Sequence, residues 1–267
     1  MTDQQFAPTR DGIQIAYRLH KGTGPARILM IHALAMNGAF WNDMLPSLLA
    51  LGDVLTPDCR GHGNSTRAPG PYSVEQYADD MADLLDHVGW EKASVGGASM
   101  GGCVSQAFAA RYPNRVTGLG LIDTTASYGP AAQPAWEERG QKAVAGGMEA
   151  LLDFQLSRWV TPEFREAMPP SLTQAVATFT ANAPATFLEV CRMLGRADTN
   201  AVLPTISVPT AIVVGEDDYA TPVAAAQNLA DHIPGATLHI LPAYRHFTVL
   251  ECPGLVAEKL RHALASV

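Results

Sequence analysis

Ser99 lies in the glycine-rich segment GASMGG (residues 97–102), between an apolar run and a stretch with helical periodicity. A serine on a sharp strand-to-helix turn is exposed at a helix N-terminus, where free backbone N–H groups favour negative charge. Such a tight turn requires small flanking residues, and the three glycines of this segment meet the requirement. The segment therefore predicts that Ser99 is a catalytic nucleophile.

A serine nucleophile needs a general base, and the base needs a carboxylate that orients it. Asp218 follows the apolar run TAIVV, and His246 follows the run TLHIL, so the order along the chain is serine, acid, histidine. Because the carboxyl ends of parallel strands meet at one edge of a sheet, we expect these three residues to converge there. Asp217 and Asp123 are alternative candidates for the acid.

A tetrahedral intermediate also requires hydrogen-bond donors that stabilise its oxyanion. We assign one donor to the backbone N–H of Met100, the residue directly after the predicted nucleophile. The second is assigned to the N–H of Leu34, in the loop that follows the apolar run RILMI. The alternatives are that a neighbour of Leu34 donates instead, or that this loop only packs.

Strand patterns alternate with helical patterns in both parts of the chain, which indicates an α/β fold with a mostly parallel sheet flanked by helices. Asp11-Gly12 predicts a hairpin turn between two strands. The predicted strands are Gln5–Pro8, Ile13–Leu19, Arg27–Ile31, Asp53–Thr56, Ala93–Gly97, Val116–Ile122, Thr210–Val214 and Thr237–Leu241. The predicted helices are Phe40–Leu49, Ser73–Val88 with a Ser73/Gln76 capping box, Met100–Arg111, Val223–Asp231 and Gly254–Ala265.

The alternation stops between Asp123 and Pro209, where helical patterns such as Met148–Trp159 are interrupted by prolines. A helical insertion between two core strands is the simplest interpretation. We expect it to form a lid over the carboxyl ends of the strands, where open α/β sheets bind ligands. The chain is therefore divided into a core, residues 1–124 and 205–267, and a helical lid, residues 125–204.

Composition excludes several classes of protein. The chain has 267 residues, a formal net charge of −8, 47% hydrophobic residues and 16% charged residues. This apolar fraction is too high for a disordered chain, and the acidic balance argues against nucleic acid as a partner. No apolar run approaches the ~20 residues that cross a bilayer, and the N-terminus has no apolar signal core. The expected partner is a small-molecule substrate, with no nucleic acid and no membrane.

The four scattered cysteines lack paired or metal-ligand spacing, which favours reduced thiols in a cytoplasmic protein, with disulfides as the alternative. No helix-borne His/Glu ligand pattern and no phosphate-binding glycine loop occurs, so we expect neither a metal nor another cofactor. The sequence leaves the oligomeric state open, a homo-oligomer included.

The chain resembles the α/β-hydrolase superfamily over nearly its whole length, through the segments IHALAMNGAFW, PDCRGHGNS, GASMGG, GEDDYATP and RHFTVLECP. Within that superfamily it looks most like the 3-oxoadipate enol-lactonases. This resemblance extends into the lid through IDTTASYGPAAQPAWEERGQKAVAGGMEALL and SRWVTPEFREAMP. It implies an α/β-hydrolase fold in which Ser99 is the nucleophile, Asp218 the acid and His246 the base.

The predicted reaction is hydrolysis of a lactone or carboxylic ester through an acyl-enzyme, with a small enol-lactone-like substrate favoured. An enol leaving group becomes a ketone, which stops ring closure from competing with hydrolysis. The alternatives are carbon–carbon bond hydrolysis of a dienone acid, a perhydrolase- or haloperoxidase-like activity, and a ligand receptor without turnover. Ala98 weighs against the first alternative, because relatives with that activity often carry Asn before the nucleophilic serine.

A substrate that carries a free carboxylate requires a cation in the lid. Arg139 and Arg158 are the candidates, and Trp136 and Trp159 are predicted to be apolar walls beside them. The alternative interpretation makes the two arginines surface residues and places the tryptophans in the core of the lid.

Overall fold

A single eight-stranded sheet organises the protein, and the computed structural model describes residues 3–267 of it. The strands are β1 (Gln5–Pro8), β2 (Gln14–His20), β3 (Ala26–Ile31), β4 (Gly52–Pro57), β5 (Ala93–Ala98), β6 (Val116–Ile122), β7 (Thr210–Gly215) and β8 (Thr237–Leu241). Their spatial order is β1-β2-β4-β3-β5-β6-β7-β8. The pairs β1–β2 and β2–β4 are antiparallel, and every other pair is parallel. The predicted α/β fold with a mostly parallel sheet is confirmed.

The continuous apolar runs of the sequence form the central strands. Helices cover both faces of a parallel sheet, so the side chains on both faces of these strands are buried and apolar. Every residue of β5 and of β7 is buried, whereas the edge strand β8 is buried only at Leu241. The central strands of the sheet therefore lie in the hydrophobic core, and they are buried up to their last residues. Residues placed just after β5, β7 and β8 are held at one edge of this rigid sheet.

The helices are α1 (Leu45–Leu49), α2 (Val74–His87), α3 (Met100–Arg111), α4 (Ala132–Gly146), α5 (Leu152–Trp159), α6 (Pro162–Ala167), α7 (Pro170–Thr180), α8 (Pro184–Arg196), α9 (Val223–His232), α10 (Thr248–Glu251) and α11 (Pro253–Leu264). Short 3₁₀ helices occupy Gly38–Trp41, Pro113–Arg115, Met148–Leu151 and Asn200–Thr205. The predicted helices at α2, α3, α9 and α11 are confirmed within one or two residues at each end.

Only half of the predicted capping box at α2 forms. The Ser73 hydroxyl accepts a hydrogen bond from the Gln76 N–H at 3.1 Å, which caps the helix as expected. The Gln76 side chain does not return a bond to Ser73; its amide nitrogen lies 3.4 Å from an Asp11 carboxylate oxygen. The start of α2 is thus fixed by the serine alone, because Gln76 is drawn toward the β1–β2 turn.

The prediction of one helix over Phe40–Leu49 is wrong. The segment contains the end of the 3₁₀ helix Gly38–Trp41 and then the separate helix α1. Pro46 stands in the first turn of α1, where its missing N–H requires no partner. In a continuous helix the same proline would remove an internal hydrogen bond, so the chain restarts its helix at Leu45.

Five helices, α4 to α8, lie between β6 and β7, in agreement with the predicted helical insertion. The predicted helix Met148–Trp159 is wrong in its first turn, because Met148–Leu151 is a 3₁₀ helix and α5 begins at Leu152. Close packing of α4 on α8 depends on Gly140, where a Cβ atom would come within 2.5 Å of the Leu188 side chain. The boundaries at 124/125 and 204/205 stay a prediction.

Candidate active site

Ser99 occupies a strained turn between β5 and α3. Its φ of 51° and ψ of −114° lie in a region that non-glycine residues seldom adopt, and such strain occurs mainly at functional positions. The flanking glycines permit the turn, because a Cβ atom on Gly97 would lie 2.2 Å from the carbonyl oxygen of Gly101. The turn therefore presents the Ser99 hydroxyl at the first turn of α3, as the sequence predicts for a nucleophile.

The structure brings Ser99, His246 and Asp218 together. His246 Nε2 lies 3.0 Å from Ser99 Oγ, and His246 Nδ1 lies 2.8 Å from Asp218 Oδ2. All three residues are buried, with 7%, 6% and 3% of their surface exposed, respectively. The three residues follow β5, β8 and β7, whose carboxyl ends lie at the same edge of the sheet. This placement explains why Ser99 and His246 are in contact although 147 positions separate them in the sequence.

Asp218 is held as an acceptor for the histidine ring. Its Oδ1 accepts hydrogen bonds from the N–H groups of Ala220 and Thr221 at 2.7 and 2.9 Å, and its Oδ2 accepts one from the Thr221 hydroxyl at 2.8 Å. Burial opposes ionisation, but the charge and hydrogen bond of His246 together with the Thr221 bonds lower the pKa of Asp218. An ionised carboxylate facing Nδ1 fixes the ring with that nitrogen as the donor, which leaves Nε2 free to accept a proton from Ser99.

The two alternative acids do not contact His246. Asp217 is exposed, and Asp123 directs its carboxylate to the Gly215 N–H and to Thr248 instead. Of the three acidic candidates named from the sequence, Asp218 is therefore the one whose carboxylate faces the histidine ring.

The two predicted oxyanion donors are placed near Ser99. Met100 is the first residue of α3, so its N–H has no acceptor within the helix. Leu34 follows β3, lines the same cavity as Ser99, and its N–H makes no hydrogen bond within residues 3–267. Both groups are thus free to donate to a ligand oxygen.

A cavity of about 240 Å³ opens above Ser99 and His246. The four predicted substrate-binding residues (Trp136, Arg139, Arg158 and Trp159) all line it, so they are not isolated surface residues. The cavity also contains residues that the sequence did not single out: Tyr128, Ala131, Ala132, Ala135, Gln155, Tyr219, Ala220, Thr221 and Phe247. Most of the roof comes from α4 and α5, which agrees with an insertion placed over the strand ends.

The two lid arginines are held by aromatic rings rather than by acids. The Arg139 guanidinium lies 4.2 Å from the centroid of Trp136 and 5.0 Å from that of Phe154, and Arg158 lies 4.2 Å from Phe154. Within the described residues 3–267, neither side chain forms a salt bridge or a hydrogen bond. Burial lowers the pKa of Arg139, and Arg158 is also half-buried. Two partly desolvated cations therefore face the cavity without a protein anion.

Trp159 and Phe247 form the apolar wall beside His246. Their rings stack at 4.8 Å with an interplanar angle of 15°, and Phe247 lies 5.6 Å from the His246 ring. The Phe247 N–H donates to the Trp159 carbonyl at 2.6 Å, so α5 is tied directly to the loop that carries His246. Trp159 is predicted from the sequence as an apolar wall, and the structure places it in the cavity lining and in contact with the loop of His246.

Neither a metal cluster nor a bilayer-spanning helix occurs in the described part of the chain. Between residues 3 and 267, no three His, Cys, Asp or Glu side chains are grouped to hold a metal ion. Over the same residues, every helix is too short or too polar to cross a bilayer. The four cysteines are free thiols, and Cys59, Cys103 and Cys191 are buried.

Comparisons with known proteins identify the family. The sequence model of the alpha/beta hydrolase fold matches residues 26–253. The 3-oxoadipate enol-lactonase 2 of Acinetobacter baylyi is 30% identical over 240 residues, which cover 90% of this chain and 87% of that protein. The crystal structure of the enol-lactonase from Burkholderia xenovorans superposes with a TM-score of 0.92 at 29% identity, over 98% of this chain and 100% of that one. A thermophilic esterase from Thermogutta terrifontis superposes with a TM-score of 0.88 at 26% identity, over 97% of both chains. The chain belongs to the α/β-hydrolase-fold family.

Proposed function

We propose that the protein is a serine hydrolase that cleaves a small lactone or carboxylic ester through an acyl-enzyme on Ser99. The observation that carries this proposal is the pair of contacts at His246, 3.0 Å to the Ser99 hydroxyl and 2.8 Å to the Asp218 carboxylate. This is the geometry of a nucleophile, a general base and an orienting acid. The similarity to enol-lactonases over nearly the whole chain supports the same reaction class.

In the first half-reaction, Ser99 Oγ attacks the carbonyl carbon of the substrate while its proton passes to His246 Nε2. The carbonyl electrons move onto oxygen, and the N–H groups of Leu34 and Met100 stabilise the resulting oxyanion. The Asp218 carboxylate holds the Nδ1–H and stabilises the imidazolium. The bond to the leaving oxygen then breaks, and His246 Nε2 donates its proton to that oxygen.

In the second half-reaction, a water molecule attacks the acyl carbon and gives a proton to His246 Nε2. Ser99 Oγ leaves the second tetrahedral intermediate and takes that proton back, so one water is consumed and the enzyme is restored. An open-chain ester gives a carboxylic acid and an alcohol, whereas a lactone gives a single hydroxy acid because its leaving oxygen stays tethered to the acyl chain. When the leaving group is an enol, it becomes a ketone, which removes the nucleophile that would otherwise close the ring again.

The cavity supports a small, anionic substrate. Its volume of about 240 Å³ is below the ~300–1,000 Å³ typical of drug-sized ligands. Arg139 and Arg158 face it without protein anions, and the aromatic rings beside them reduce their contact with water. We propose that these arginines bind a carboxylate of the substrate and that residues 125–204 act as its lid. An enol-lactone with a free carboxylate meets these requirements. The four free thiols support a reducing compartment, and we place the enzyme in the cytoplasm.

The experiment that tests this proposal compares wild type, Ser99→Ala and the control Ser105→Ala on four substrates. The substrates are a carboxylated enol-lactone, a simple aryl ester, a saturated lactone and a dienone acid. Ser105 lies on the same helix, and its hydroxyl bonds the Gly101 carbonyl at 2.8 Å rather than facing the cavity. We expect kcat to fall by about 10⁴- to 10⁶-fold in Ser99→Ala and to stay close to wild type in Ser105→Ala.

The ranking of kcat/KM in wild type decides between the reactions. A preference for the enol-lactone over the other three supports the proposal. A preference for the dienone acid would instead identify a carbon–carbon bond hydrolase. Tight ligand binding without turnover would indicate a receptor. Full activity of Ser99→Ala would show that Ser99 is not the nucleophile.

A further inference from the structure

The C-terminal end of α5 is held by the loop that carries His246. The last carbonyl groups of a helix have no N–H partner within that helix, so another part of the chain must supply the donors. At this end of α5 the carbonyls of residues 157–160 accept hydrogen bonds, and all the donors belong to residues 245–247. The end of α5 therefore has its hydrogen-bond partners outside the helical insertion.

Two of these four bonds come from the backbone of the loop. The His246 N–H donates to the Arg158 carbonyl at 3.4 Å, and the Phe247 N–H donates to the Trp159 carbonyl at 2.6 Å. All four of these residues line the cavity. The arginine proposed to bind a carboxylate and the proposed general base are thus linked directly through main-chain atoms.

The other two bonds come from the side chain of Arg245. Its Nη1 donates to the Ser157 carbonyl at 2.6 Å and to the Val160 carbonyl at 3.3 Å. The negative end of the helix dipole also favours a cation at this position. The same guanidinium lies 5.3 Å from the ring centroid of Tyr219, another residue of the cavity lining. Arg245, the residue before His246, therefore caps the C-terminus of α5.

Glu251, the last residue of α10, fastens the junction between α5 and α6 to the same loop. Its Oε1 accepts hydrogen bonds from the N–H and the hydroxyl of Thr161, at 2.9 and 2.6 Å. Its Oε2 accepts a bond from the Arg245 N–H at 3.2 Å. Thr161 is the N-cap of α6, so the carboxylate holds the point where one helix ends and the next begins.

We propose that Arg245 and Glu251 are positioning residues that keep α5, and Arg158 on it, in one place relative to His246. The inference rests on the proposed function, in which Arg158 binds a carboxylate of the substrate and His246 transfers the proton. Because one rigid unit then holds both ends of the substrate, the enzyme should favour acidic esters with one spacing between the carboxylate and the scissile carbonyl. A misplacement of about 1 Å lowers a rate by as much as about 100-fold.

The test uses the mono-4-nitrophenyl esters of glutaric, adipic and pimelic acid, with 4-nitrophenyl butyrate as the neutral substrate. The three acidic esters differ by one methylene group each in the spacing of their two functional groups. After subtraction of the spontaneous rate, we expect the kcat/KM of wild type to be highest at one length and to fall by about 10-fold or more at another. Equal values at all three lengths would overturn the proposal.

Arg245→Gln and Glu251→Gln change the charge beside the cavity in opposite directions. If the two residues acted only through their charges, the first substitution would raise KM for acidic esters and the second would lower it. If they hold α5, both substitutions loosen the same junction. Both should then raise KM for the best acidic ester by about 5- to 10-fold and flatten the preference for one length. The kcat and KM for the butyrate should stay close to wild type, because this ester does not use Arg158.

Lys142→Gln is the matched control. Lys142 is an exposed cation on α4 that pairs with Glu138 at 2.8 Å, so its removal takes a positive charge from the insertion without touching the junction. Its KM values and length preference should equal those of wild type. Arg245 and Glu251 are only half-buried, so both variants are expected to fold, and their Tm values are measured alongside the kinetics.

A rise of KM in both variants that is confined to the acidic esters supports the proposal. Changes of opposite sign, equal losses on acidic and neutral esters, or wild-type values in both variants overturn it. Failure of the proposed function is recognised separately. Ser99→Ala would then keep its activity, or Arg158→Ala would leave KM for acidic esters unchanged, and either result also overturns the inference. If the inference alone fails, Ser99→Ala and Arg158→Ala are still impaired.

Discussion

Asp123 Oδ2 accepts hydrogen bonds from both the backbone N–H and the hydroxyl of Thr248, at 3.1 and 2.7 Å. Its Oδ1 accepts a third bond from the Gly215 N–H at 3.1 Å. Asp123 therefore ties the end of β7, just before Asp218, to the residues just after His246. Burial raises the pKa of Asp123 well above its ordinary value, and the nearby Asp218 charge adds to this shift.

We predict that Asp123→Asn loosens the contact between Asp218 and His246. An amide group offers one acceptor in place of two, so one of the three donors becomes unsatisfied, at about 1–3 kcal/mol. Tm should fall, and kcat should fall about 10-fold or more with a smaller change in KM. The control is Asp217→Asn, because Asp217 is exposed and its carboxylate bonds none of these groups. A loss of Tm with unchanged kcat would limit Asp123 to a purely structural role.

Two buried histidines make the protein sensitive to acid. His32 Nε2 accepts the Cys59 N–H at 2.8 Å, and its Nδ1 lies 2.8 Å from the Ala33 carbonyl, which fixes the neutral Nδ1–H tautomer. Burial lowers the pKa of His32 to about 4. Burial, followed by the influence of His32, lowers the pKa of His62 to about 3. The rings of the two histidines lie 5.0 Å apart.

We predict that stability falls as the pH is lowered from about 6.5 toward 4. The unfolded chain takes up a proton near pH 6.5 while folded His32 does not, so the contribution of His32 is complete above that pH and is lost below it. Between pH 7 and pH 5, the free energy of unfolding should decrease by about 2 kcal/mol on account of His32 alone, and His62 acts in the same direction.

Urea unfolding of wild type, His32→Gln and His62→Gln at pH 7 and pH 5 measures this effect. Each variant should be less stable at pH 7 but should lose less stability between the two pH values. The exposed His262→Gln serves as the control and should retain the full pH dependence. If His32→Gln, His62→Gln and His262→Gln all lost the same amount of stability between pH 7 and pH 5, the pH dependence would not come from His32 and His62.

We predict that Gly101→Ala disrupts the turn that carries Ser99. A Cβ atom at this position would lie 2.0 Å from the Ile31 carbonyl oxygen and 2.7 Å from that of His32, and backbone atoms of a buried strand cannot move aside easily. The free energy of unfolding should decrease by about 2–3 kcal/mol. Activity should also fall, because β3 leads into the loop that contains Leu34. Circular dichroism melting and the aryl-ester assay measure both effects.

Gly254→Ala is the matched control for this substitution. A Cβ atom at Gly254 in α11 meets nothing within 4 Å, so Tm should stay the same or rise. The free energy of unfolding should increase by at most about 0.5–1 kcal/mol. Equal Tm values for Gly101→Ala and Gly254→Ala would show that the turn tolerates a side chain.

We predict that Arg139→Ala and Arg158→Ala each raise KM for acidic substrates. A charge-assisted hydrogen bond contributes about 1.5–3 kcal/mol, which corresponds to a rise of roughly 10- to 100-fold. A neutral ester should be hydrolysed with nearly unchanged KM. The measurement compares 4-nitrophenyl butyrate with the mono-4-nitrophenyl ester of glutaric acid. Arg261→Ala removes an exposed positive charge elsewhere and controls for net charge. Equal losses on the two esters would argue against carboxylate binding.

The sequence by itself determined the class of fold and the residues most suited to the chemistry. Buried strands read as continuous apolar runs, and GASMGG is meaningful because few residue types permit a turn that tight. The order of Ser99, Asp218 and His246 along the chain, each just after a strand, was enough to expect them at one sheet edge. Local rules failed where neighbours compete, as at Phe40–Leu49, where Pro46 restarts the helix, and at Gln76, which turns toward Asp11.

Only the tertiary structure decided which acid faces the histidine, since Asp123, Asp217 and Asp218 all follow strands but differ in where their carboxylates point. The tertiary structure also revealed the two arginines facing the cavity. Such properties depend on burial and on contacts between residues far apart in the chain. A sequence specifies which side chains are available. Whether a given side chain has a hydrogen-bonding or charged partner is known only when the positions of all its neighbours are known.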